Sequence, residues 1–147
     1  MLAPLILGFG TVFVSMGIQV AVVVMMVRYV IATTKDKEHS SETFGFDTFI
    51  ISSTLLILFA GHLFQAAIWA SLFMFLGEFD DFLTAFYHST VNFASLGYGD
   101  IVMSEKWRLL GALEASNGVL MFGLSAGTML AVMTNLFSRH DNPIKPK

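Results

Sequence analysis

No cysteine occurs in the chain, which excludes disulfides and thiolate metal sites. Charge is scarce: Asp, Glu, Lys and Arg make up 13% of the residues and cluster between apolar runs. The net charge of −3 offers no basic footprint, so no nucleic-acid partner is expected. The four histidines have no paired spacing and signal no metal cluster. No nucleophile–base pair and no phosphate-cradling loop appears, so enzymatic chemistry is not expected either. No stretch has the size and polarity of a ligand-sensing domain. What the chain has in excess is apolar surface. Hydrophobic residues make up 55% of it and the mean hydropathy is +0.71. That is too apolar for an ordinary soluble domain. The expectation is an all-α integral membrane protein partnered by the lipid bilayer.

Leu2 to Val27 carries no charge and is long enough to cross a hydrocarbon core of about 30 Å. A cleaved leader would need a basic start, a shorter apolar run and a small-residue cleavage site. None is present, so a retained helix is expected. Arg28 closes it at the interface. Thr33 to Asp47 reads as a polar loop carrying Lys35, Asp36, Lys37, Glu38 and Glu42. Thr48 to Leu76 is a second apolar segment, and Trp107 to Phe137 a third. His62 and Gln65 share one face of the second and read as packing or hydrogen-bonding groups. The tail Ser138 to Lys147, with Pro143 and Pro146, is expected to fray.

Between the second and third segments lies Phe82 to Phe93. At helical rise its dozen residues reach about 18 Å, too short to span. Asp80 or Asp81 can cap its start. A short capped helix followed by Gly97-Tyr98-Gly99 suggests a re-entrant loop. Irregular backbone is tolerated at membrane depth only where protein or a water-filled cavity surrounds it. Glycines flanking a tyrosine allow a backbone that most residues resist, with successive carbonyls turned the same way.

The stretch Phe86 to Asp100, FYHSTVNFASLGYGD, resembles the pore helix and filter of potassium channels. The likeness to two-helix pore domains of that family runs roughly from Thr48 to Met133. Members usually carry Thr-Val-Gly-Tyr-Gly-Asp. Here Ser95 and Leu96 replace the first two residues, while Gly97, Tyr98, Gly99 and Asp100 match. The resemblance implies two transmembrane helices plus a re-entrant pore helix and filter loop, and the apolar run Leu2 to Val27 adds a third transmembrane helix before them. The resemblance implies a homotetramer, with K+ coordinated by the carbonyls of Ser95, Leu96, Gly97 and Tyr98 as permeant ligand and no other cofactor. The domains are then 1–32, an N-terminal transmembrane helix; 33–47, a cytoplasmic loop; 48–137, the pore domain; and 138–147, a short cytoplasmic tail.

The resemblance also assigns roles around the filter. Tyr87 and His88 stand where tryptophans commonly hold the filter tyrosine and aspartate. His88 is a candidate partner for Asp100, which would ease its protonation. Val91 stands where some bacterial relatives have a glutamate tied to the filter aspartate. Leu96 is longer than valine and must fit against the pore helix, at about 1–3 kcal/mol if the pocket does not adapt. The end of that helix, with unpaired carbonyls, is expected to favour a cation. Gly118, Gly123 and Gly127 offer an inner-helix hinge or close packing, Gly118 lying nearest the family's hinge. Glu114 and Asn117 share a face within the third segment. An intramembrane carboxylate attracts a functional reading, as cavity charge or titrating gate. Its early position favours a buried carboxyl bonded to Ser89 or Thr90. The first helix is expected outside the pore, with Gly8, Gly10 and Gly17 as contact points.

Basic residues set the orientation. Lys106 and Arg108 lie on the loop side of the filter, against Arg28, Lys35, Lys37, Arg139, Lys145 and Lys147 on the other. The richer side is cytoplasmic. The N-terminus is then outside and the C-terminus inside, in the cell's inner (plasma) membrane. Glu78, Asp80, Asp81, Asp100 and Glu105 would make the outer mouth acidic. Two alternatives stay open: a weakly selective cation channel, and a non-conducting regulatory or assembly subunit on the same scaffold.

Overall fold

The computed structural model describes residues 2–35 and 43–141. They form four helices: α1 Leu2–Lys35, α2 Thr43–Phe75, α3 Phe82–Phe93 and α4 Arg108–Asp141. Three of them, α1, α2 and α4, are long and apolar enough to cross a membrane, and α3 is not. The fold is that of an all-α membrane protein. Asp36, Lys37, Glu38, Glu42, Pro143, Lys145, Pro146 and Lys147 lie outside the described residues.

The long helices overrun the apolar segments. Helix α1 continues through Thr33 to Lys35, α2 begins before Thr48, and α4 runs through Ser138 to Asp141. The polar loop and fraying tail expected at these points are therefore helical where described. Polarity marks the membrane edge but does not end a helix. That takes glycine, proline or a cap, and no proline falls between Val27 and Lys35 or between Phe137 and Asp141. At the other end of α2 a stop signal is present. Gly77, at φ +74°, donates to the Met74 carbonyl and Glu78 to that of Phe73, both at 3.0 Å. This left-handed cap closes the helix.

Helices α1 and α4 each bury a narrow stripe. On α1 it includes Gly8, Ser15, Gln19, Met26 and Val30; on α4, Leu110, Glu114, Gly118, Met121, Ser125, Val132 and Leu136. The spacing alternates between three, four and seven, as in left-handed helix packing. One apolar cluster, with Trp69, Phe73, Phe93, Trp107 and Leu110, surrounds α3. A second, with Met26, Ile50, Leu58, Val132 and Leu136, joins the opposite ends of the long helices.

Between these clusters lies a buried polar chain. Asn117 Nδ2 donates to Ser15 Oγ at 2.8 Å, and Ser15 donates to Gln65 Oε1. Gln65 Nε2 donates to Gln19 Oε1 at 2.7 Å, and Gln19 Nε2 to Ser125 Oγ at 2.8 Å. Ser125, having accepted, has its own proton for His62 Nε2 at 2.9 Å. Six uncharged side chains thus join α1, α2 and α4 where lipid offers no substitute partner. Helix α1 packs on α2 and α4. A Cβ on Gly8 would come 2.4 Å from Leu113, whereas Gly10 and Gly17 face open space. Only the first of the three expected contact points is therefore used within the chain.

Gln65→Leu removes the centre of the polar chain and strands Ser15 and Gln19. Interhelical hydrogen bonds in membranes average about 0.6 kcal/mol and reach about 1.7. Losing two is expected to lower the thermal midpoint of the detergent-solubilised protein by several degrees. An unchanged melt would show that the chain contributes no stability.

Candidate functional site

Helix α3 begins where Asp81 accepts from the Thr84 N–H at 2.9 Å, so Asp81, not Asp80, is the cap. That hydrogen bonding holds its carboxyl below the usual carboxylate range. The helix ends in a second left-handed cap. Ser95 N–H donates to Asn92 O at 2.8 Å and Leu96 N–H to Val91 O at 2.9 Å. The residue in the left-handed position is Ser95, φ +58°, where glycine is usual. Ala94 N–H takes the Thr90 carbonyl at 3.0 Å. The expectation of unpaired carbonyls at this helix end is therefore corrected for residues 90, 91 and 92. The chain wraps back on them as it leaves the helix.

Beyond the cap the backbone alternates. Ser95, Gly97 and Gly99 have φ of +58°, +56° and +74°, while Leu96 and Tyr98 do not enter the positive region. Residues of positive φ thus alternate with residues outside that region from Ser95 to Gly99. Residues 94 to 100 are all exposed in the single chain, Leu96 at 54% and Tyr98 at 66%. Leu96 is thus not wedged against α3, and the expected overpacking within the chain does not arise.

Tyr87 Oη donates to Asp100 Oδ2 at 2.7 Å, which lowers the Asp100 pKa and raises that of the phenol. His88 does not bond Asp100. Its Nδ1 lies 3.2 Å from the Ile101 carbonyl. Burial outweighs the nearby carboxylates and lowers the pKa of the ring, the reverse of the eased protonation considered from sequence. Glu78 is not free at the mouth. Its carboxylate accepts from the Ser104 N–H and hydroxyl, both at 2.7 Å, and ties the α2–α3 turn to the segment before α4.

Glu114 is fully buried beside Ser89 and Asn92 of α3, yet neither carboxylate oxygen nor the Ser89 hydroxyl completes a hydrogen bond. Thr90, the other partner considered, is engaged with the Phe86 carbonyl at 2.7 Å. Gly118 decides its own reading. A Cβ there would sit 1.8 Å from the Phe93 carbonyl oxygen. Gly123 and Gly127 face open space, so they make no close packing within the chain. Sequence reasoning passed over Ser15, Gln19, Asn92 and Ser125. Their signal was present as polar residues inside apolar helices, with Ser15 and Gln19 four apart.

A cavity of about 560 Å³ lies between α3, the segment 97–103 and the start of α4, lined by Tyr87, His88, Asn92, Asp100, Glu105 and Arg108 among others. Among the described residues no group of His, Asp and Glu is placed to hold a metal ion by side chains. A family model described as "Ion channel" matches residues 48–135, more than half of the chain and all of α3. No curated protein and no solved structure matches it.

Proposed function

This chain belongs to the ion channel family, and from that premise we propose that it forms a potassium-selective pore as a homotetramer. Membership points to transport through a membrane, not to catalysis. The observation that carries the finer reading is the alternating backbone of Ser95 to Gly99. A file of carbonyls on one side of an extended segment can replace the water shell of a dehydrated cation. One chain supplies one side of such a file. Four copies around an axis supply a ring at each level, and they also cover Leu96 and Tyr98, which a single chain leaves exposed. The carbonyls of Ser95, Leu96, Gly97 and Tyr98 are then the K+ ligands, with no cofactor besides the permeant ion.

Asp80 and Glu105 remain to concentrate cations at the mouth, Glu78 being engaged with Ser104, Asp81 with Thr84 and Asp100 with Tyr87. The balance of basic residues supports an orientation with the filter opening outward and the C-terminus in the cytoplasm, and the inner or plasma membrane is the proposed location.

The test is ion flux into liposomes with native mass spectrometry of the purified protein. K+ passing well ahead of Na+ through a tetramer is expected. A Cβ at the φ of +74° of Gly99 costs about 1–2 kcal/mol. Gly99→Ala should therefore erode the K+ preference by about tenfold. Equal passage of both ions in the unaltered protein would leave the weakly selective channel. A stable monomer without flux would leave the regulatory subunit.

A further inference from the structure

Asn92 is half-buried on the third helix and contributes no carbonyl to the file. Its side-chain Nδ2 lies 2.8 Å from His88 Nε2, one turn back. On the opposite side of the ring, His88 Nδ1 meets the Ile101 carbonyl. A carbonyl oxygen can only accept, and an amide NH2 can only donate. Nδ1 therefore carries the proton and Nε2 is bare. The ring is neutral and held in one tautomer. Phe73 and Phe79 flank it, with centroids 5.7 and 4.9 Å away. Asn92 is itself braced from α4: a Cβ on Gly111 would come 3.2 Å from Nδ2, and Glu114 lies alongside. Ile101 directly follows Asp100, so the ring is a strut from α3 to the chain leaving the carbonyl file.

We propose that Asn92 is a positioning residue for the filter: by donating to Nε2 it keeps His88 in the neutral Nδ1–H form that holds the Ile101 carbonyl. This rests on the pore reading of the same segment.

The charges around the ring pull in both directions. The carboxylates of Asp100 and Glu78 favour a proton on it. Glu105 and Arg108 line the adjoining cavity with opposite signs, Tyr87 and Tyr98 line it with their phenol rings, and Glu114 lies beyond Asn92. Burial prevails and places the ring's pKa below its ordinary value. The sign follows: the ring is neutral at pH 7, and the strut is intact until the medium falls below the usual imidazole range. Once Nε2 is protonated, two donors face each other, and with the amide in this orientation the bond is lost. Removing the amide donor withdraws a bond made only to the neutral ring, so the pKa rises. A carboxylate at position 92 would bond the charged ring and raise it further.

The test is nitrogen-15 spectroscopy of the histidine rings in the full-length protein, with the His88 signal assigned from His88→Gln, and K+ flux measured across the same external pH series. The parent should show the Nδ1–H tautomer at pH 7 and keep its flux until well below pH 6.5. In Asn92→Leu the ring titration and the loss of flux should move together to higher pH by about one unit, tenfold in proton concentration. In Asn92→Asp, a second variant should the first assemble poorly, the ring should shift further. His88→Gln should remove this step in flux. Unchanged ring titration in both Asn92 variants would overturn the proposal, and so would a flux profile that ignores the ring's titration. A parent that conducts no K+ while its ring titrates as expected would instead sink the pore reading, leaving the tautomer assignment standing.

Discussion

Gly118→Ala is expected to abolish the assembled, conducting protein. A Cβ at this position would lie 1.8 Å from the carbonyl oxygen of Phe93 and 2.7 Å from its carbon. Both are backbone atoms, so no rotamer change can clear them. Helices α3 and α4 would have to separate by more than an ångström. Phe93 is the last residue of α3, two before Ser95. The displacement therefore passes straight into the left-handed cap and the alternating segment it launches. Overpacking a core typically costs about 1–3 kcal/mol, and a clash of two backbones lies at or above the top of that range. Size-exclusion chromatography in mild detergent and liposome flux are the measurements. Gly123→Ala and Gly127→Ala are the controls, because each opens on free space within the chain. A Gly118→Ala protein that assembles and conducts like its parent would show that the two helices do not approach this closely.

Glu114 is expected to split its variants. Its carboxylate is fully buried, with no hydrogen-bond partner for either oxygen. A full charge in that setting is expensive, so a neutral group of the same shape should serve. Glu114→Gln keeps the volume and can still reach Ser89 and Asn92, and flux should largely survive. Glu114→Ala leaves a cavity behind α3 and should cost about 2 kcal/mol or more. The loss should appear as a lower thermal midpoint and less assembled protein. If both variants reduce K+ flux alike while assembly stays intact, the carboxylate acts by its charge, as an attractor of cations.

Much of this was legible in the residues. Three spans follow from uncharged length. The 12-residue α3 begins and ends where Asp81 and the glycine motif placed it. Both are local properties: transfer free energy summed along a segment, and caps within one turn. The alternating backbone was legible at Gly97 and Gly99, which accept positive φ freely. It was not legible at Ser95, where helix closure imposes it on a residue that would not choose it.

Partners were the less legible part. Tyr87 and His88 are neighbours, and either phenol or imidazole can reach for Asp100. Only the placement of the return segment gives the carboxylate to Tyr87 and the Ile101 carbonyl to His88. Helix α1 is apolar around its whole circumference, so no hydrophobic periodicity reveals which face it buries. Its docking face is marked instead by Gly8, Ser15 and Gln19, a small residue and two polar ones.

From sequence alone, the chain is a helical membrane protein with a short helix and a glycine-bearing segment between two spans, because apolar length, charge placement and turn chemistry act over one helix or one turn. Tertiary structure alone decides that Gly118 is a contact, that Glu78 serves Ser104, and that α1 is joined to α2 and α4 by a polar chain. Each of these is a meeting of residues far apart in sequence, and side-chain chemistry lists the partners it would accept without saying which one packing brings within reach.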